Sequence, residues 1–186
     1  YLVALFFALF AFIPFGWMIL TMFKTDNDLY NPRNNPFRSN DPPTLDNITL
    51  LWNDTSYRTF LLNTLMISIV VVVVTVVAVV PAAYSLVRLS GRLGENLGIL
   101  IFLVYLVPPT LLFIPLTSVV ADVGLQNSRW SMALVYPTFT IPFCIWLMMG
   151  FLRSVPWEIE EQAMIDGYSR LGAIWRTVIP VSLPGI

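Results

Sequence analysis

The residues of this chain whose types and spacing invite chemistry fall in one polar stretch, Glu161-Gln162-Ala163-Met164-Ile165-Asp166-Gly167, followed by Ser169, Pro180 and Pro184. Its carboxylates have no catalytic company. The chain contains no histidine and one cysteine, Cys144, which sits inside an apolar run. Disulfide frameworks and Cys/His metal sites within the chain are therefore excluded, and Cys144 reads as a small packing residue. No activated nucleophile or metal set can be assembled, so catalytic and metal residues are none. A phosphate cradle needs a glycine run ending in Lys-Ser/Thr, and the only lysine, Lys24, follows Phe23 with no such run before it. The chain cannot be its own ATPase, and the chemistry left to the polar stretch is recognition.

The elements that must position it can be read locally. Pro156 suits the first turn of a helix, where its missing N–H costs nothing, with Ser154 or Val155 before it as cap. Glu158, Glu160 and Glu161 crowd the first turns, where the helix dipole favours negative charge, and Ile159 and Ala163 lie one turn apart on one face. Gly167 fits the stop, because a left-handed terminal residue is cheap only without a side chain. Ser169 is a natural cap for a second helix, in which Leu171, Ile174, Trp175 and Val178 form an apolar stripe and Arg170 and Arg176 stay off it. The segment reads as helix, sharp turn, amphipathic helix. It is either a rigid docking knob at a membrane surface or an interfacial helix pair with no partner.

The surroundings are membrane. Hydrophobic residues make up 57% of the 186 positions and charged residues 11%, with a net charge of -1. That balance exceeds the globular norm, and there is no basic surplus to neutralise nucleic-acid phosphates. Four uncharged stretches are long enough to cross a bilayer as helices, namely 1–23, 59–87, 96–121 and 130–152, and the residues from Thr177 onward enter a fifth. The run Ile69 to Val80 is almost wholly β-branched, yet in lipid it must be helix because a lone strand would leave its backbone unsatisfied. Residues 24–58 are a polar connection rich in Asn, Asp and Pro, read as turns with a short helix after Thr44. The Asn47-Ile48-Thr49 and Asn53-Asp54-Thr55 triplets match the glycosylation pattern by chance in so Asn-rich a loop. Tyr1 already lies in an apolar run and Ile186 closes another, so the chain reads as a single domain, 1–186, truncated at both ends.

No acid or base falls inside the four stretches, which disfavours transport driven by proton or ion coupling. The polar residues within them, such as Asn63, Thr64, Thr75, Tyr84, Thr110 and Thr140, are ordinary helix-to-helix hydrogen-bonding groups unless some of them line a polar path. Asn63 and Tyr84 are singled out for a path because an amide and a phenol suit hydroxyl-rich ligands, and Thr110 because Pro108-Pro109-Thr110 interrupts the helical ladder and is the best gate candidate. Positive charge does not orient the chain: Lys24, Arg33, Arg38, Arg58 and Arg129 fall on one side, and Arg88, Arg92, Arg153, Arg170 and Arg176 on the other.

The polar stretch resembles the cytoplasmic loop of the permease subunits of binding-protein-dependent ABC importers, specifically the carbohydrate group with the maltose-type permeases. That loop runs Glu-Ala-Ala, three residues, Gly, nine residues, then a hydrophobic-x-hydrophobic-Pro ending. Glu161, Ala163, Asp166, Gly167 and Pro180 match, whereas Gln162, Thr177 and Ile179 depart from it. Asn63-Thr64, Pro81 with Ala82 to Arg88, Gly124 to Asn127, and Pro142-Phe143 through Gly150-Phe151 are similar to the sugar subgroup as well. The resemblance implies an all-α polytopic membrane protein with the type I importer permease fold, in the bacterial inner membrane. It implies docking of an ABC ATPase on a coupling loop, 153–176, through Glu161, Ala163, Asp166, Gly167, Ser169 and Arg170, and a translocation path near Asn63, Tyr84 and Thr110. Loops 88–95 and 153–176 would then be cytoplasmic, and 24–58 and 122–129 extracytoplasmic. No cofactor is expected in this chain; ATP and magnesium would be held by partner subunits. A second permease subunit, either a homologous non-identical chain or a second copy of this one, and an extracytoplasmic sugar-binding protein are the other implied partners, beside membrane lipid. The alternative is a passive channel or a structural membrane protein, neither of which needs a docking loop.

Overall fold

The computed structural model describes residues 1–185, Pro184 by its backbone, and Ile186 lies outside the described residues. Every regular element among them is helical. Helices are what lipid demands, since each backbone donor and acceptor is then satisfied within its own segment. The chain divides into two compact units, Tyr1–Asn63 and Thr64–Ile186.

The first unit opens with α1 (Leu2–Met22), which runs unbroken through Pro14 and buries none of its side chains. An apolar cylinder of this kind is at home in hydrocarbon without protein around it. Two short helices follow, α2 (Asp26–Tyr30), capped by the Thr25 hydroxyl, and α3 (Asp46–Asn53). The connection is tightly pinned. The Asn47 amide donates to the carbonyls of Lys24 at 2.7 Å and Met22 at 3.2 Å, and so caps the open end of α1. Asn47 thus has a structural task that accounts for it without sugar attachment.

The second unit takes in most of α4 (Tyr57–Tyr84) and all that follows: α5 (Gly91–Tyr105), α6 (Pro109–Asp122), α7 (Trp130–Ser154), α8 (Trp157–Ile165), α9 (Arg170–Ala173) and α10 (Ile179–Ser182). Two π-helical turns, Ser85–Leu89 and Ile174–Val178, and a last 3₁₀ turn, Leu183–Gly185, complete it. Its core is Val79, Ala83 and Tyr84 of α4, Ile145, Met148, Met149 and Leu152 of α7, and Val178 of the second π turn. Thr75 and Thr140 share a 2.9 Å hydrogen bond between α4 and α7, the helix-to-helix role expected of polar residues in spans. α5 lies close on α7: a Cβ on Gly98 would stand 2.8 Å from the Met149 sulfur, and Phe102 stacks on Trp146 with centroids 4.7 Å apart.

The third apolar stretch, expected as one span over 96–121, is two helices. α5 and α6 meet at 91°, with the break at residues 106–108. The cause is the proline pair. Pro109 opens α6 at a position that needs no N–H, and Pro108 before it is held extended (φ -56, ψ 130) because the Pro109 ring excludes the helical region there. Three other helices are long and apolar enough to cross a membrane, 2–22, 57–89 and 130–154, and the bent pair makes up to four.

The amphipathic helix expected after Ser169 departs from its predicted pattern. A regular amphipathic helix from Ser169 would bury Leu171, Ile174, Trp175 and Val178 together. Instead, α9 lasts one turn before the π turn inserts an extra residue per turn. The buried line becomes Ala173, Val178 and Ser182, while Leu171 and Trp175 are each 70% exposed. The exposed side forms an apolar groove of about 610 Å³ with Val76, Val77, Val80 and Pro81 of α4.

Candidate functional site: a buried carboxylate joining the loop to a span

α8 begins one residue later than expected. Pro156 is its N-cap and Val155 before it is extended (φ -80, ψ 120), as the residue preceding a proline must be. Ser154 still belongs to α7 and donates its hydroxyl to the Phe151 carbonyl at 2.7 Å. The far end of α8 follows the sequence closely. Gly167 has φ +91, the N–H of Gly167 bonds the Met164 carbonyl at 3.1 Å, and the N–H of Tyr168 bonds the Ala163 carbonyl at 3.1 Å. This pair of bonds is the Schellman closure, which satisfies the last carbonyls and reverses the chain. The Ser169 hydroxyl then accepts from the N–H of Gly172 at 3.2 Å and starts α9.

The six predicted docking residues are all assembled in this knob, in unequal roles. Asp166 caps α8 and is exposed. Ala163 is buried. Glu161 is exposed, and its carboxylate accepts a hydrogen bond within its own helix, from the Trp157 indole at 2.7 Å. Arg170, half exposed, turns its guanidinium inward to 3.8 Å from Glu160. The residue that organises the knob is Glu160, which the sequence reading placed only among the dipole-favoured acids.

Glu160 is 0% exposed. Its Oε1 accepts a short hydrogen bond from the Tyr84 hydroxyl, at the end of α4. Its Oε2 faces the Arg88 Nε at 3.9 Å, an ion pair in which neither atom has a hydrogen bond among the described residues. Arg88 also donates to the Val155 carbonyl at 2.7 Å, and its guanidinium lies 5.0 Å over the Trp157 ring. A buried carboxylate is costly unless charges and donors compensate it, and here two arginines and a phenol do so from three separate elements. The sequence did carry a faint signal: Glu160 and Ala163 share one face of α8, and Tyr84 and Arg88 sit one turn apart where α4 leaves the apolar run.

The three predicted path residues stand in different local settings. Asn63 is half-buried near the start of α4, and Thr110 is exposed on the first turn of α6. Tyr84 is buried with its hydroxyl committed to Glu160. No group of three or more His, Cys, Asp or Glu residues able to hold a metal ion occurs among the described residues.

The knob is closed at Gly167 and Ser169 and tied to α4 by a buried acid, and the comparisons with known proteins cover it whole. The profile of a family described as the binding-protein-dependent transport system inner membrane component matches residues 75–186, which includes every residue of the Glu160 site. The chain belongs to this family. It is 31% identical over 173 residues to the sulfoquinovosyl glycerol transport system permease protein of Agrobacterium fabrum, covering 93% of this chain and 60% of that protein. It is 30% identical over 175 residues to a diacetylchitobiose uptake system permease protein of Streptomyces coelicolor, covering 93% and 62%. With the maltodextrin transport system permease protein of Streptococcus pneumoniae it shares 29% over 140 residues, 75% of this chain and 50% of that one. The chain therefore spans between half and two thirds of the length of these relatives. Family membership and the run of apolar helices make it a multi-pass helical protein of the inner membrane.

Proposed function

We propose that the chain is a membrane-spanning subunit of an ATP-driven importer, forming part of the path for a sugar or oligosaccharide and coupling to a separate ATPase through the loop 153–176. The observation that carries this reading is the knob itself. It is closed at Gly167 and Ser169, fixed to α4 through Glu160, and presents Glu161, Asp166, Leu171 and Trp175 outward. Neither a channel nor a purely structural protein requires so rigid an outward-facing joint. The carbohydrate assignment rests on relatives named for sulfoquinovosyl glycerol, diacetylchitobiose and maltodextrin.

In this arrangement the loops 88–95 and 153–176 face the cytoplasm and 24–58 and 122–129 face outward. ATP and magnesium bind the partner ATPase, a second permease subunit completes the path, and a soluble sugar-binding protein delivers substrate. Asn63 and Thr110 remain the path residues proposed from the sequence, while Tyr84, proposed with them, is assigned to the joint because its hydroxyl is taken by Glu160. The test is co-purification of the full-length protein with its ATPase, followed by uptake of a sugar panel into vesicles. ATP-dependent uptake of a sugar, indifferent to proton and sodium gradients, is the expected result. Uptake driven by an ion gradient without ATP would overturn the reading.

A further inference from the structure

The two neighbouring acids of α8 face opposite ways. Glu161, which belongs to the loop pattern, is exposed and accepts a hydrogen bond from Trp157 of its own helix. Glu160 is buried, and every polar partner it has lies outside α8: Tyr84 at the end of α4, Arg88 in the π turn that follows, and Arg170 in α9. α8 packs mainly against α9 and the second π turn, and Glu160 links it to Tyr84 at the end of α4, beside the Arg88 guanidinium that lies over Trp157. The α4 end of the connection is a π-helical turn, a geometry that interrupts the regular helical ladder and is found mostly at functional sites. The Arg88–Glu160 separation of 3.9 Å is about 1 Å longer than a charge-assisted hydrogen bond.

We propose that Glu160 is a positioning residue for transport, holding α8 to the cytoplasmic end of α4 so that a displacement of the knob is delivered to the span through Tyr84 and Arg88. The inference rests on the importer reading and deepens it. Glu161 faces the partner, and Glu160 faces the span.

The experiment uses the complete importer, with its ATPase and binding protein, reconstituted in vesicles, and reads ATP hydrolysis and substrate uptake on the same sample. Glu160→Gln keeps the side-chain shape and an acceptor for Tyr84 but removes the charge. Tyr84→Phe, the milder change, removes only the hydroxyl. Both variants should assemble, and both should hydrolyse ATP at close to the wild-type rate. Uptake per ATP should fall about tenfold in Glu160→Gln and a few-fold in Tyr84→Phe, within the range of ordinary coupling energies. The double variant should be no worse than Glu160→Gln alone, because both act through one bond. Unchanged uptake per ATP in Glu160→Gln would overturn the proposal. So would a loss of uptake matched in both variants by an equal loss of hydrolysis and of assembled complex, the signature of a merely structural role. A wild-type complex without ATP-dependent uptake would instead overturn the importer reading, and this inference with it.

Discussion

Two buried carboxylates, Asp28 and Glu160, solve the same electrostatic problem in opposite ways. Asp28 is caged by its own neighbourhood. Asn40 gives it a side-chain bond at 2.6 Å and a backbone bond at 3.0 Å, Asn34 a third at 3.0 Å, and Lys24 stands 3.4 Å away. Lys24 is buried too, and is satisfied by the Arg38 carbonyl at 2.8 Å. All these partners come from residues 24–40, so little chain entropy is spent in closing the cage. Glu160 draws its partners from residues far apart in sequence, 76 positions in the case of Tyr84, and leaves one oxygen facing Arg88 without a hydrogen bond. A cage closed locally and saturated makes a loop rigid by itself. One closed at long range makes two elements move together.

The comparison breaks most visibly at Arg88. Arg88→Ala takes from Glu160 the buried one of its two arginines, leaving the half-exposed Arg170, frees the Val155 carbonyl and uncovers Trp157, and removal of one member of a buried pair typically costs about 3–5 kcal/mol. Thermal unfolding in detergent should show that loss, with proteolysis concentrating at the knob. Lys24→Ala should cost less, because Asp28 keeps three amide donors. Equal losses in the two variants would erase the distinction drawn between cage and joint.

A smaller effect is expected from Gly94→Ala, which tests whether the joint depends on the placement of the first π turn. A Cβ on Gly94 would fall 1.9 Å from the Leu86 carbonyl oxygen, a backbone atom that cannot swing aside. Overpacking of this kind costs about 1–3 kcal/mol. The shift would be passed to Arg88, two residues on from Leu86. Enhanced exposure of Trp157 to a soluble quencher is the local readout, and a Trp157 signal unchanged from wild type would show that the turn and the joint are independent.

Much of this arrangement was legible in the sequence, for reasons that differ by element. Three of the four expected spans followed from length and absence of charge, because a lone segment in lipid must be helix, whereas 96–121, read as one span with Pro108-Pro109 as its gate candidate, is two helices because proline sterics break it outright there. The knob's turn followed from Gly167 and Ser169, which act through local backbone chemistry. Of the stripe Leu171, Ile174, Trp175 and Val178, the last is buried in the core and Ile174 packs against it, while Leu171 and Trp175 are exposed where a π turn adds a residue that a period of 3.6 does not assume. Glu160 was missed because its meaning lies in Tyr84 and Arg88, which no local rule connects to it. The Asp28 cage was missed because a loop rich in Asn, Asp and Pro reads as turns whichever amide meets which carboxylate.

Gly167 separates the turn from the joint. A Cβ there would meet nothing within 4 Å, so steric crowding plays no part and the cost lies in the backbone at φ +91. A side chain in that region costs about 1–2 kcal/mol, and a β-branched one more than Asn, which tolerates it. Gly167→Val should therefore loosen the knob and weaken ATPase co-purification, while Gly167→Asn retains most of it, and membrane level should be unaffected in both. If Val and Asn behave alike, the left-handed turn is not what the knob relies on.

The last and smallest effect belongs to the Asp28 cage and sharpens its half of the comparison through pH. The side-chain bond from Asn40, aided by the Asn40 backbone N–H, the Lys24 charge and the Asn34 amide, outweighs burial and holds the Asp28 carboxyl down to about 2, against an ordinary value of 3.8. A folded-state value below the unfolded one means that the ionised form is favoured by folding. The cage's contribution is therefore fully present above pH 3.8 and is lost progressively as pH falls toward 2. Hydrogen exchange at the Asn40 amide, corrected for the intrinsic pH dependence, should lose protection across that interval in the wild-type protein. Asp28→Asn has no charge to lose, and its protection should be weaker at neutral pH and flat through the same range. A wild-type profile equally flat would mean that the carboxylate's charge does not hold the loop, and that the amides alone close it.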